Sequence, residues 1–138
     1  MGEGFGDYLA ASSFADKKPA RYRTSIMTWD GITWNEIYDP PCVRRIDEAF
    51  TFESFDHGRW GEEHENGLIW SATLWDIRTA LGQRVADRII LESHFQLDGF
   101  TTFSRGARAI LDADQNLYRG THRARLRRIF SWRGIGPI

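Results

Sequence analysis

Two carboxylates lie one helical turn apart at the start of the chain, among three glycines. The stretch reads MGEGFGDYLAAS, and four positions separate Glu3 from Asp7. Like charges at this spacing repel by about 0.2–0.5 kcal/mol, and a glycine inside a helix costs about 1 kcal/mol against alanine. One chemical use for so costly an arrangement is to share a cation or hold its ligands, while the glycines admit another backbone. The alternative is a frayed first turn, where acids suit the helix dipole.

Two cationic or titratable residues in the middle of the chain are also candidates for charge stabilisation. His64 follows two glutamates and lies just before a long helical pattern, so by itself it is interpreted as a residue at the start of a helix. Arg44 is followed by Asp47 and Glu48, and a local salt bridge explains it as well as a substrate contact does.

The other three histidines are interpreted as structural or solvated. The spacing of His57 from His64 matches no compact pattern of metal ligands. His94 and His122 lie on predicted helices among charged residues, where surface or packing roles are expected.

Composition indicates one globular domain spanning residues 1–138. Hydrophobic residues make up 41% and the net charge is −1, so the whole chain is not drawn to nucleic acid or to an anionic membrane. The single cysteine excludes an intrachain disulfide. Neither a signal peptide nor a membrane-spanning run is expected. The arginines of residues 119–133 are interpreted as a solvated helix face, with nucleic-acid binding as the weaker alternative.

Hydrophobic periodicity predicts a mainly α fold, a helical bundle with a long irregular insert at about residues 16–60. The predicted helices cover about residues 2–15, 66–81, 84–97, 103–117 and 121–132. The insert is expected to hold one or two short strands. Gly82 is a predicted C-cap and Ser104 a predicted N-cap. In the first helix, Phe5, Leu9 and Phe14 are predicted to share the apolar side.

Three stretches, in the same order along the chain as in the family, resemble segments of the fungalysin-like zinc metallopeptidases, which have the thermolysin-type fold. GEGFGDYLA is similar to the helix that carries the family's third zinc ligand, and EHENGLIW with the following LWD is similar to a second family segment. The sequence from Phe103 to Gly136 is similar to the last two helices of the family. The fold this implies is that of the C-terminal subdomain of such a peptidase.

The resemblance implies specific roles for four residues. Glu3 becomes a zinc ligand, and Asp7 becomes the acid that hydrogen-bonds a zinc-bound histidine. His64 becomes a donor to the oxyanion of the attacked peptide carbonyl, and Arg44, in CVRR, becomes a contact to the substrate carbonyl. The family has an aspartate five residues before this histidine, but Arg59 stands there, so the orienting acid is sought in Glu62 or Glu63.

The resemblance also implies what this chain needs from elsewhere. No HExxH segment occurs in it, so two zinc ligands and the general base are expected from an upstream half, in cis or in trans. A catalytic zinc site needs about three protein ligands. The isolated chain is therefore predicted to be inactive toward peptide or protein substrates, and secretion is expected by resemblance only. The alternative is a non-enzymatic helical interaction domain derived from such a peptidase, distinguished by whether Glu3, Asp7 and His64 converge.

Overall fold

The computed structural model describes residues 1–34, 37–56 and 62–138, and the predicted mainly α fold is confirmed there. The six α-helices of the described residues are α1 (Gly2–Phe14), α2 (Thr28–Trp34), α3 (Glu63–Leu81), α4 (Gln83–His94), α5 (Phe103–Tyr118) and α6 (Arg123–Trp132). Two short strands, β1 (Ser25–Ile26) and β2 (Arg44–Arg45), pair antiparallel with Ile26 opposite Arg44.

The insert contains more structure than its sequence indicates. Helix α2 was not predicted, since its seven residues, TWDGITW, include several weak helix formers. Its position is fixed by a close approach, because a Cβ on Gly31 would overlap the Cα of Cys42. The rest of the described insert consists mainly of loops and three 3₁₀ turns, Ala15–Lys17, Ala20–Tyr22 and Phe52–Ser54.

Helix α3 begins three residues earlier than predicted, and this changes the place of His64. The carboxylate of Glu62 accepts hydrogen bonds from the backbone N–H groups of His64 at 3.1 Å and Glu65 at 3.2 Å. Glu62 therefore acts as the N-cap, although aspartate, asparagine, serine and threonine are the preferred caps. His64 lies within the first turn of α3 instead of before the helix.

The N-cap predicted for α5 is also corrected. Thr102, not Ser104, accepts the hydrogen bond from the backbone N–H of Arg105, at 3.3 Å. The Ser104 hydroxyl instead donates to the carbonyl oxygen of Gly136 at 3.0 Å. The predicted C-cap of α3 is confirmed at Gly82, whose φ of +80° favours glycine.

The main hydrophobic core lies among α1 and the four later helices, α3 to α6. Its fully buried members include Trp70 and Leu74 of α3, Ile89 of α4, Ile110 of α5 and Phe130 of α6. Within each of the four later helices the buried side chains recur at helical spacing, which explains why these helices are predictable from the sequence.

The apolar side predicted for α1 is wrong. Phe5 and Leu9 are only partly buried and Phe14 is 54% exposed. The buried side is instead made of Gly4, Tyr8, Ala11 and Ser12. Helix α1 packs mainly against α3. Small side chains let two helix backbones approach closely, so the buried stripe of α1 is not its most hydrophobic one.

Arg133 corrects the interpretation of the basic tail as a solvated surface. This residue is 3% exposed, and its Nε donates to Asp76 of α3 at 2.7 Å. Its Nη1 donates to the carbonyl oxygens of Glu48 and Phe50 at 2.8 and 2.7 Å. The end of α6 is thereby tied to α3 and to the insert. Arg125, Arg127 and Arg128 are exposed.

The burial of Tyr8 predicts that the free energy of unfolding falls at alkaline pH. Its buried hydroxyl donates to Asp87 of α4, and burial, then the hydrogen bond to Asp87, raises the pKa of Tyr8. As pH rises, Tyr8 ionises in the unfolded chain before it ionises in the folded one. The stabilising contribution of Tyr8 to the free energy of unfolding is therefore complete below about pH 10 and is lost as pH rises above that value. At pH 11 the free energy of unfolding should fall by about 1.4 kcal/mol from this residue. Urea denaturation at pH 9 and 11 should show that extra fall in the wild type and not in Tyr8→Phe.

Among the described residues, the helices are too short or too polar for any of them to cross a membrane.

Candidate functional site

The first turns of α1 and α3 lie side by side and bring Glu3 to His64. Glu3 is the second residue of α1, and His64 is the second residue of α3. The Oε2 atom of Glu3 and the Nδ1 atom of His64 are 3.2 Å apart, although 61 positions separate the two residues in sequence. Both side chains are partly open to solvent, with 49% and 37% of their surfaces exposed. Solvent therefore reaches part of each side chain, although the Nδ1 atom of His64 is itself buried.

A contact between two glycines sets this arrangement. A Cβ on Gly4 would overlap the carbonyl oxygen of Gly67, one turn along α3 from His64, and would lie 3.1 Å from the backbone nitrogen of Ser71. The approach is also tight on the side of Gly67, where an added Cβ would lie 3.1 Å from the backbone nitrogen of Gly4. Gly4 thus permits the close crossing of α1 and α3, whereas additional Cβ atoms at Gly2 and Gly6 would meet nothing within 4 Å.

The three donor side chains Glu3, Glu63 and His64 form a cluster, called the donor cluster below. One potential ligand atom of each lies within 4.8 Å of the other two. The Nδ1 atom of His64 is buried and has no hydrogen-bond partner among the described residues. Its short approach to Glu3 therefore does not have hydrogen-bond geometry. An imidazole nitrogen and carboxylate oxygens are ordinary zinc ligands, so the residues present fit a zinc ion.

Asp7 and Arg44 form a second pair, one turn further along α1. Arg44 Nε donates to Asp7 Oδ2 at 2.9 Å and Nη2 donates to Oδ1 at 3.0 Å, so the pair is bidentate. Both side chains are mostly buried. Asp7 raises the pKa of Arg44, and the charges of Glu62 and Glu3 add to that effect. The two pairs therefore belong to one electrostatic environment.

The local salt bridge considered for Arg44 is not the one that forms. The neighbouring Arg45 pairs with Asp47 instead, with Nη2 and Oδ2 2.7 Å apart. Strand β2 explains the difference, because pairing with β1 turns Arg44 and Arg45 to opposite faces. The partner of Arg44 lies 37 positions earlier in sequence, so no local pattern could identify it.

Glu62 or Glu63 is the acid expected to orient His64. In the structure, Glu62 accepts hydrogen bonds from the backbone as the N-cap of α3. Glu63 lies in the donor cluster. The sequence indicates Glu63 only as an orienting acid, and it carries no signal of the proximity of Glu63 to Glu3. His57 and Arg59 lie outside the described residues.

The two remaining histidines are engaged within the fold. His94 Nδ1 lies 2.8 Å from the carbonyl oxygen of Ile90, and its ring is 3.8 Å from that of Phe5. His122 Nδ1 lies 2.7 Å from a carboxylate oxygen of the buried Asp114, which also accepts the backbone N–H of His122 at 3.1 Å. His122 thus fixes the connection between α5 and α6.

Comparison with known proteins matches the whole chain to one family. The sequence model described as fungalysin metallopeptidase covers residues 1–138. The chain is 24% identical over 160 residues to Extracellular metalloproteinase 5 of Trichophyton rubrum, with 99% of this chain and 25% of that protein covered. The same identity holds over 158 residues of Extracellular metalloproteinase 2 of Trichophyton tonsurans, with the same shares covered. The chain thus spans about a quarter of the length of the curated relatives that it matches. No solved structure matches it.

Proposed function

Because the chain belongs to the fungalysin metallopeptidase family, we propose that it is the C-terminal part of the catalytic unit of a zinc-dependent endopeptidase. The observation that supports this most is the approach of Glu3 to His64 from two helices, beside the Asp7–Arg44 pair. A non-enzymatic interaction domain would have no need to bring these four side chains together. Their convergence therefore favours a peptidase half-site over that alternative.

In this proposal Glu3 is a zinc ligand, and two further ligands come from an HExxH segment outside this chain. Zinc, when bound, supplies a Lewis acid that polarises the peptide carbonyl and makes water nucleophilic. Asp7 lies on the same side of α1 as Glu3, and its carboxylate retains lone pairs beside the two taken by Arg44. It is therefore suited to hold the N–H of a metal-ligating histidine in place.

His64 and Arg44 act on the substrate in this proposal. His64 in its donating form hydrogen-bonds the oxyanion that develops on the peptide carbonyl, and such a donor is typically worth about 2.7–4 kcal/mol. The guanidinium of Arg44 is held by Asp7 through two of its nitrogens, which fixes its plane and leaves other N–H groups for a substrate carbonyl. The substrates are peptides or proteins, bound between this chain and the HExxH half. The relatives' names as extracellular metalloproteinases support secretion.

Kinetics of a polypeptide that joins this chain to its HExxH half test the proposed role of His64. In the joined protein, His64→Ala should lower kcat by about 10²–10³ through loss of one donor to the oxyanion. Glu65→Gln removes a charge from the same turn of α3 and should leave kcat within about twofold, since a change outside the site costs little. A His64→Ala protein as active as the wild type would overturn this assignment. The 138-residue chain without its partner should show no zinc-dependent hydrolysis of peptides.

A further inference from the structure

We propose that Glu3, Glu63 and His64 form a transition-metal site that this chain carries by itself. The donor cluster differs from the ligand set of the proposed function, in which Glu3 is joined by two histidines from another segment. Here Glu63 and His64 are themselves ligands. The metal site therefore belongs to the chain without a second polypeptide. It shares Glu3 and His64 with the proposed peptidase site, but there His64 contacts the substrate and does not bind the metal.

The spacing of His64 and Glu3 fits two ligands of one ion. Ligands about 2.0–2.1 Å from a tetrahedral zinc ion lie about 3.3 Å from each other. The Nδ1 and Oε2 atoms are 3.2 Å apart. They do not hydrogen-bond, so Nδ1 is left buried and without a partner among the described residues. A metal ion would satisfy this nitrogen, which otherwise carries the cost of an unpaired buried polar group.

Glu63 supplies the third donor, and its position allows it to adjust. Its carboxylate is exposed, and one of its oxygens lies within 4.8 Å of the other two donor atoms. A change of side-chain rotamer can shorten that distance without moving the helix. The neighbouring backbone is fixed by the crossing of Gly4 with Gly67, so the two helices hold the remaining donors in place.

The negative charge of the donor cluster favours a bound cation. Neighbouring positive groups balance part of that negative charge. The cluster holds two carboxylates, and both act on the Met1 ammonium group as neighbouring negative charges. The charge of Glu3 also interacts favourably with the Arg44 guanidinium, which is hydrogen-bonded to Asp7. The imidazole selects for zinc or cobalt over magnesium and calcium, which prefer oxygen ligands. We therefore expect selective binding of moderate strength.

Titration of the 138-residue chain with Co²⁺ tests this site directly. Isothermal calorimetry and visible absorption should show one saturable site, displaced by Zn²⁺ and unaffected by Mg²⁺. The variants Glu63→Gln and His64→Ala should each weaken Co²⁺ binding by at least about tenfold, since even changes beside metal ligands have effects of about 10–100-fold. The matched variant Glu65→Gln should bind within about twofold of the wild type. Far-UV circular dichroism should show the same helix content in all four proteins.

A second readout identifies the ligand atom. In imidazole ¹⁵N spectra, Zn²⁺ should shift the Nδ1 resonance of His64 and leave that of His122 unchanged. Absence of saturable Co²⁺ binding, or a Glu63→Gln chain that binds Co²⁺ as tightly as the wild type, would overturn the inference. Either result leaves the proposed peptidase function standing, because its kinetic test uses the joined protein.

Discussion

Replacing Gly4 with alanine is expected to destabilise the chain by about 3 kcal/mol, because overpacking at a fixed contact costs about 1–3 kcal/mol or more. The added methyl group would overlap the carbonyl oxygen of Gly67, which belongs to the backbone and cannot rotate away. Helices α1 and α3 would have to separate, and Glu3 would move away from His64. Urea denaturation, with the free energy of unfolding extrapolated to water, measures the effect.

The matched control lies two residues further along the same helix. Gly6→Ala adds the same methyl group where nothing lies within 4 Å. It should stabilise the chain by up to about 1 kcal/mol, since alanine is the better helix former. Equal effects of the two substitutions would contradict the idea that the close crossing at Gly4 holds the site together.

Replacing Arg133 with alanine is expected to cost about 3 kcal/mol, the lower end of the range seen when one partner of a buried ion pair is removed, because the Asp76 side chain is 32% exposed. The substitution would leave Asp76 without its guanidinium and the carbonyl oxygens of Glu48 and Phe50 without their donor. Its thermal midpoint and urea midpoint should both fall well below those of the wild type.

Arg128→Ala provides the control on the same helix. Arg128 is exposed, and a surface substitution of this kind usually changes stability by less than about 0.5 kcal/mol. A small effect at Arg133, similar to that at Arg128, would show that the contacts between α6, α3 and the insert do not stabilise the fold.

The helices with a continuous hydrophobic stripe could be predicted from the sequence, and those that depend on close contacts could not. In α5, Ala107, Ile110 and Leu111 recur at helical spacing and are buried. In α1 the buried side follows the crossing with α3, so Gly4 and Ser12 are inside and Phe14 is outside. Hydrophobic periodicity cannot identify a buried side on which small residues such as Gly4 and Ser12 permit the close approach of another helix.

The residues of the candidate site could be named from the sequence, but their partners could not. The spacing of Glu3 and Asp7 indicates a site, and the resemblance supplies the roles of Glu3, Asp7, Arg44 and His64, which remain predictions. The pairing of Asp7 with Arg44 spans 37 positions, and the approach of Glu3 to His64 depends on two helix starts. Glu63 drew attention only as a neighbour of His64. Its place in the donor cluster becomes visible once α3 is known to begin at that residue.

The reading frame upstream of the Met1 codon is the most direct test of the proposed peptidase function. DNA sequencing there, with translation of all frames, is expected to reveal an HExxH segment in frame with Glu3. That result would supply the two histidine ligands and the general base that the proposal requires. If no upstream frame encodes HExxH, the proposal that Glu3 completes a catalytic zinc site within one polypeptide is contradicted, and the interaction domain becomes the better explanation of this chain.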